Sequence, residues 1–191
     1  MANFRDMLDK AKCGRLGAED FHIAVKAVSE GRVSPRDLYT ALHVVGLAGS
    51  PTQAEVVRKY LDMPSDPMLS RLALQILCDY WGMSSDVLPE IHRFLTGVGW
   101  DIDGDVREVA ISVAGRHLRE ERGPRSLAQA LVRIAEDEGE LDFVRESAVR
   151  ALAGALGESL LDVSSPAVRV RIPSAQAVDV LTRARKRYAV R

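Results

Sequence analysis

Apolar side chains recur at intervals of three and four residues along much of this chain. Leu69, Leu72, Ala73, Ile76 and Leu77 form one such run, Val106, Val109, Ala110 and Val113 a second, and Val144, Ala148, Leu152 and Leu156 a third. With 3.6 residues per turn, each run gathers its apolar groups on one stripe, so each predicts an amphipathic helix whose stripe needs a neighbour to cover it. The punctuation between the runs agrees. Ser34, Pro35 and Asp37 place a capping hydroxyl, a proline at the first helical position and a carboxylate three residues after the cap; Ser50, Pro51 and Gln53 repeat the device. Asp66 with Pro67, Gly123 with Pro124, and the carboxylates of Asp105 and Asp142 mark four more helix starts.

Laid over one another, the runs beginning at Leu69, Val106 and Val144 align without gaps, at spacings of 37 and 38 residues. A further helical segment precedes each of them, over residues 51–61, 86–95 and 124–136, and residues 18–29 and 35–48 supply a looser pair upstream. The unit is therefore a helix pair, and about four antiparallel pairs can bury their stripes only by stacking on one another.

Asp103, Asp105, Val106, Arg107 and Ala110, and again Leu141, Asp142, Val144, Arg145 and Ala148, resemble the second helix of HEAT repeats, in which a turn aspartate precedes a Val-Arg pair and a small residue follows. The resemblance covers about residues 35–158 and departs from the pattern at Ser70, where arginine would stand, with Arg71 following. It implies an all-α fold, an alpha-alpha superhelix forming a single domain over 1–191: an irregular first pair at 18–49, three clearer repeats at 50–158, and a capping region at 159–191. It also implies that Arg107 and Arg145 pair with turn aspartates such as Asp105 and Asp142, and that the second helices line a concave face. On that face the alignment sets Arg71, Glu108 and Glu146, then Gln75, Ser112 and Arg150, then Asp79, Arg116 and Gly154. The capping region reads differently. Residues 167–173 alternate apolar and basic as an extended segment does, and Ser174 then caps a last amphipathic helix to about Tyr188.

Composition narrows the function classes. The chain has 191 residues, 47% apolar and 28% charged, which argues against disorder; aromatics are only 5%, which suits small-residue helix packing. No uncharged stretch approaches the roughly 18 residues a membrane span needs, and Cys13 and Cys78 form neither a disulfide framework nor a metal motif, so a cytoplasmic location is expected. The net charge of -1 removes any whole-molecule basic field, yet residues 167–191 carry seven arginines and lysines against one aspartate, so the basic charge is concentrated in the tail.

Candidate chemistry is sparse. Asp101, Asp103 and Asp105 open like a calcium loop, but Val106 and Ser112 stand where the required glycine and glutamate should be. Gly97 and Gly99 lack the third glycine of a dinucleotide cradle, and the four histidines show no metal spacing. Cys78, on the apolar side of its helix, reads as a buried thiol, and Trp81 as core. No catalytic residue, metal or cofactor is expected. The expected binding residues are Arg71, Gln75, Asp79, Arg116, Arg119 and Arg150, with Trp100 as a possible interface anchor in its loop.

Mixed charge on the second helices favours another protein as partner over a polyanion. The leading expectation is a non-enzymatic scaffold, adaptor, or inhibitor or immunity-type protein. Nucleic acid, in the manner of HEAT-like alkylpurine DNA glycosylases, ranks second, and a bilin lyase-like role third. The acidic run from Glu136 to Asp142 facing the basic last helix of a neighbour would support a homo-oligomer.

Overall fold

The computed structural model describes residues 2–121, 123–158 and 174–190; the extended segment expected over 167–173 lies outside them. Among the described residues every regular element is helical: α1 (Phe4–Lys12), α2 (Ala18–Glu30), α3 (Pro35–Ala48), α4 (Ala54–Arg58), α5 (Pro67–Gln75), α6 (Leu88–Thr96), α7 (Asp105–Glu121), α8 (Arg125–Glu136), α9 (Asp142–Ala155) and α10 (Ala175–Tyr188). None of them is long and apolar enough to cross a membrane. The chain divides into two compact units, Met1–Val87 and Leu88–Arg191, and the division falls inside the stretch of clearer repeats.

Local chemistry explains most of the boundaries. Ser34 caps α3, its hydroxyl accepting from the Asp37 amide at 3.2 Å and donating to the Asp37 carboxylate at 2.7 Å. Before α4, the Gln53 side chain accepts from the Ser50 amide at 3.0 Å across a single 3-10 turn. Ser174 caps α10 by accepting from Ala177 at 3.1 Å. The N-terminal helix α1 has no counterpart in the repeat. Asn3 caps it, accepting from Asp6 at 3.2 Å, and it buries Phe4 and Met7 in packing against α3.

In the first unit α3 is central, covered by α1, α2 and α5, with Ala41, Leu42, Val44 and Val45 inaccessible to solvent. The helix α5 ends in a π-helical turn over Ile76–Tyr80, where the Trp81 amide donates to the Ile76 carbonyl five residues back, at 3.0 Å. The second unit holds two successive helix pairs. α6 packs on α7 and α8 on α9, the first helices of the pairs touch, and α7 lies along α9. The α10 helix closes this unit against α8 and α9, burying Ala177, Val180 and Ala184. Around that contact Arg185 meets Glu136 at 2.6 Å, Arg183 pairs with Glu158, and the Tyr188 hydroxyl donates to the Ala155 carbonyl at 3.3 Å. One pairing between the acidic turn and the basic helix is thus made within the chain.

The expected arginine ladder needs one correction. Arg145 does meet Asp142, at 3.5 Å, but the carboxylate paired with Arg107 is Glu140 in the following turn, not Asp105. The two arginines nevertheless share a second contact. Each sends its Nε to a carbonyl near the end of the preceding helix, Arg107 to Leu95 at 3.1 Å and Arg145 to Ala135 at 3.3 Å. What differs is the neighbouring turn, which brings the Glu140 carboxylate to the Arg107 guanidinium. The start of α7 is satisfied by Asp101 instead, whose carboxylate accepts from the amides of Val106 at 3.2 Å and Arg107 at 2.9 Å.

Candidate functional site: the cleft between α7 and α9

Two small residues set how closely α7 and α9 approach. A Cβ added at Gly115 would lie 2.8 Å from both the Cβ and the carbonyl oxygen of Ala151, so only glycine allows this separation. Beside that contact the helices leave a cleft of about 490 Å³, lined by Glu108, Ile111, Ser112 and Arg116 on α7 and by Ser147, Arg150 and Gly154 on α9, with Arg119 and Glu158 also on its walls. Ile111, Gly115 and Ala151 form a largely apolar floor. At Gly154 an added Cβ would meet nothing within 4 Å, so the absence of a side chain there is space belonging to the cleft.

The polar walls are partly preset. Arg116 donates to the Ser112 hydroxyl at 2.7 Å, one helical turn away, and Arg150 donates to the buried Ser147 at 2.8 Å. Each contact restrains a long side chain that would otherwise lose rotamer freedom on binding. Glu158 is drawn towards Arg183 of α10, and Arg183 also meets Asp179 at 3.0 Å. A planar guanidinium offers parallel donors matched to a carboxylate or phosphate, so three of them over an apolar floor suit an anionic group carrying an apolar neighbour.

The chain matches no family model, no curated protein and no solved structure.

The expected binding residues fall into separate places. Arg116, Arg119 and Arg150 converge on the cleft, together with Glu108, Ser112 and Gly154 of the same aligned stripe, whereas Glu146 does not line it. Arg71, Gln75 and Asp79 belong to the first unit. There the π-helical turn after Gln75 changes the residue period, so these three do not continue one straight α-helical stripe. The Arg71 Nε is buried with no hydrogen-bond partner among the described residues. Trp100 is half-buried with its ring edge-on to Phe94, at 6.1 Å between centroids, covering the end of α6. Trp81 donates its indole hydrogen to the Gly46 carbonyl at 3.1 Å, and Cys78 is buried. No group of metal-ligating side chains occurs among the described residues, and the Asp101 carboxylate is occupied as a helix cap. Sequence reasoning set Ser112 and Gly154 on this stripe without giving them a role, and missed Ser147 and the close approach of Gly115 and Ala151. The alignment of Ala151 with Ile76 was the available signal, since it pairs a small side chain with a large one at one repeat position.

Proposed function

We propose that this chain is a non-enzymatic, HEAT-like protein-binding module and that the α7/α9 cleft holds an acidic segment of another protein. The observation that carries this reading is the convergence of Arg116, Arg119 and Arg150 over a floor of Ile111, Gly115 and Ala151. Arginine forks would take a carboxylate of the partner, and the floor would take an adjoining apolar side chain. The contacts to Ser112 and Ser147 lower the ordering cost, and a walled cleft between two packed helices needs little rearrangement. A scaffold, an adaptor and an inhibitor or immunity-type protein all share this chemistry.

The same guanidiniums would suit phosphate, which keeps nucleic acid as the second reading. Against it, Glu108 and Glu158 interrupt the arginines along the cleft, so a phosphate backbone finds no continuous basic track, whereas a single carboxylate needs only one pair of guanidiniums. A displayed random dodecapeptide library selected on the full-length chain separates the two. Peptides rich in Asp and Glu with an apolar neighbour should be enriched, and the triple variant R116E/R119E/R150E should lose them. Absence of enrichment, together with steeply salt-dependent retention of a DNA duplex in a mobility-shift assay, would reverse the order of the readings.

A further inference from the structure

The turns that start α7 and α9 form a second surface whose chemistry is opposite to that of the cleft. Ile102 is 86% exposed, Leu141 55% and Phe143 42%, three large apolar side chains in solvent. They belong together. Ile102 and Leu141 line one groove of about 300 Å³ with Val98, Gly99 and Val144, and the Phe143 ring lies over Gly104 in the adjoining turn, 3.5 Å from where a Cβ would stand. The ion pair between Arg107 and Glu140 ties the two turns side by side. Isolated apolar residues are ordinary on a surface, but a contiguous group around a groove marks an interaction site.

The surroundings of this group are strongly acidic. Residues 97–108 and 136–146 contain ten carboxylates against two arginines, and both of those arginines are engaged, Arg107 by Glu140 and Arg145 by Asp142. Asp103 and Asp142 are exposed beside the apolar group. We infer that this turn surface docks a basic amphipathic helix of a partner protein, whose apolar stripe enters the groove between Ile102 and Leu141 while its lysines and arginines face the acidic rim. Charge complementarity selects the occupant: an acidic or neutral apolar helix would desolvate the rim carboxylates without compensation, whereas a basic one pairs with them and is steered towards them. An amphipathic helix offers its apolar stripe through residues spaced three and four apart, the form in which such helices enter a groove.

The test uses the full-length chain and a fluorescein-labelled synthetic peptide of about four helical turns, with leucines at the i, i+3, i+4 and i+7 positions and lysines and arginines between them. The scrambled peptide of the same composition is the control. The amphipathic peptide should bind saturably in fluorescence anisotropy and more tightly than the scrambled one. I102S/L141S should weaken it at least about tenfold with an unchanged thermal midpoint, and D103N/D142N should weaken it less while flattening its salt dependence. Both variants sit at exposed positions, and Phe143, which contacts the turn, is left intact. Equal binding of the scrambled peptide, or full binding by I102S/L141S, would overturn the proposal. So would a concentration-dependent dimer in sedimentation that I102S/L141S abolishes, because the groove would then belong to a second copy.

Discussion

The second helices of successive repeats meet along one seam in each unit, and the two seams begin from the same contact and end differently. In the first unit Gly46 of α3 faces Ile76; in the second, Gly115 of α7 faces Ala151, which holds the repeat position of Ile76. Counted from the glycine, Tyr39, His43 and Leu47 of α3 take the places of Glu108, Ser112 and Arg116 of α7. Across the seam, Asp79 and Tyr80 take the places of Gly154 and Ala155. The first seam is filled: the Tyr80 ring stacks on His43 at 6.3 Å, Tyr39 meets the same imidazole edge-on at 6.5 Å, and Trp81 reaches the Gly46 carbonyl. The second is open and lined with arginine. A repeat therefore sets where two helices touch, and side-chain volume a turn away decides whether that place is covered by rings or left as a cleft.

The glycines give the largest test of this comparison. An alanine methyl at Gly115 would press on the backbone of Ala151, which cannot turn aside, so the helices must separate. At Gly46 the three atoms nearest to the methyl belong to the side chains of Ile76 and Tyr80, which can yield by a small shift where a backbone cannot. Gly115→Ala is expected to cost about 2 kcal/mol net of its gain in helix propensity, and Gly46→Ala about half as much. Urea denaturation of the two single variants checks the order. Equal losses would mean that the seams are not set by backbone approach in the second unit and side-chain packing in the first.

Filling the open seam separates stability from binding. Gly154→Leu would place a side chain into the cleft from a position where nothing stands within 4 Å, so the helix gains propensity and loses no contact. The thermal midpoint should hold or rise slightly, while acidic peptides selected on the unmodified chain should bind at least about tenfold more weakly, or about 1.4 kcal/mol. A leucine that left peptide affinity unchanged would remove the cleft from the binding reading.

The same comparison shows what the amino-acid sequence could and could not disclose. Helix starts at Ser34 and Ser174 were legible because capping joins residues three positions apart, and that of α9 because Asp142 puts a carboxylate in its first turn. The grouping of Glu108, Ser112 and Arg116 with Arg150 and Gly154 was legible because a helical period and a repeat spacing suffice to bring them to one side of two neighbouring helices. The partner of Arg107 was not, since it depends on how two turns lie side by side; nor was the π-helical turn at Ile76, which inserts a wider hydrogen-bonded loop without any proline or glycine to announce it. The apolar group at Ile102, Leu141 and Phe143 also escaped a reading based on stripes, because these residues stand in turns or at a helix start, outside the periodic runs. The helix α1 escaped for the complementary reason that it belongs to no repeat.

The smallest expected effect concerns the filled seam, where polar Ser112 has an imidazole as its counterpart. Burial first, and the positive charge of Lys12 second, hold His43 below the ordinary histidine range. A histidine kept neutral in the folded chain binds fewer protons than the unfolded chain does once the pH falls below about 6.5. Its contribution to stability is therefore fully present above that pH and is lost as the pH falls towards the folded value. Denaturation midpoints of the unmodified chain should decline between pH 7.5 and 5.5, and His43→Gln should remove a part of that decline while costing some aromatic packing at both values. The other histidines remain in place in both proteins, so the difference between the two slopes isolates His43. Parallel slopes would mean that solvent reaches the imidazole between Tyr39 and Tyr80, and that the first seam is less closed than its ring contacts imply.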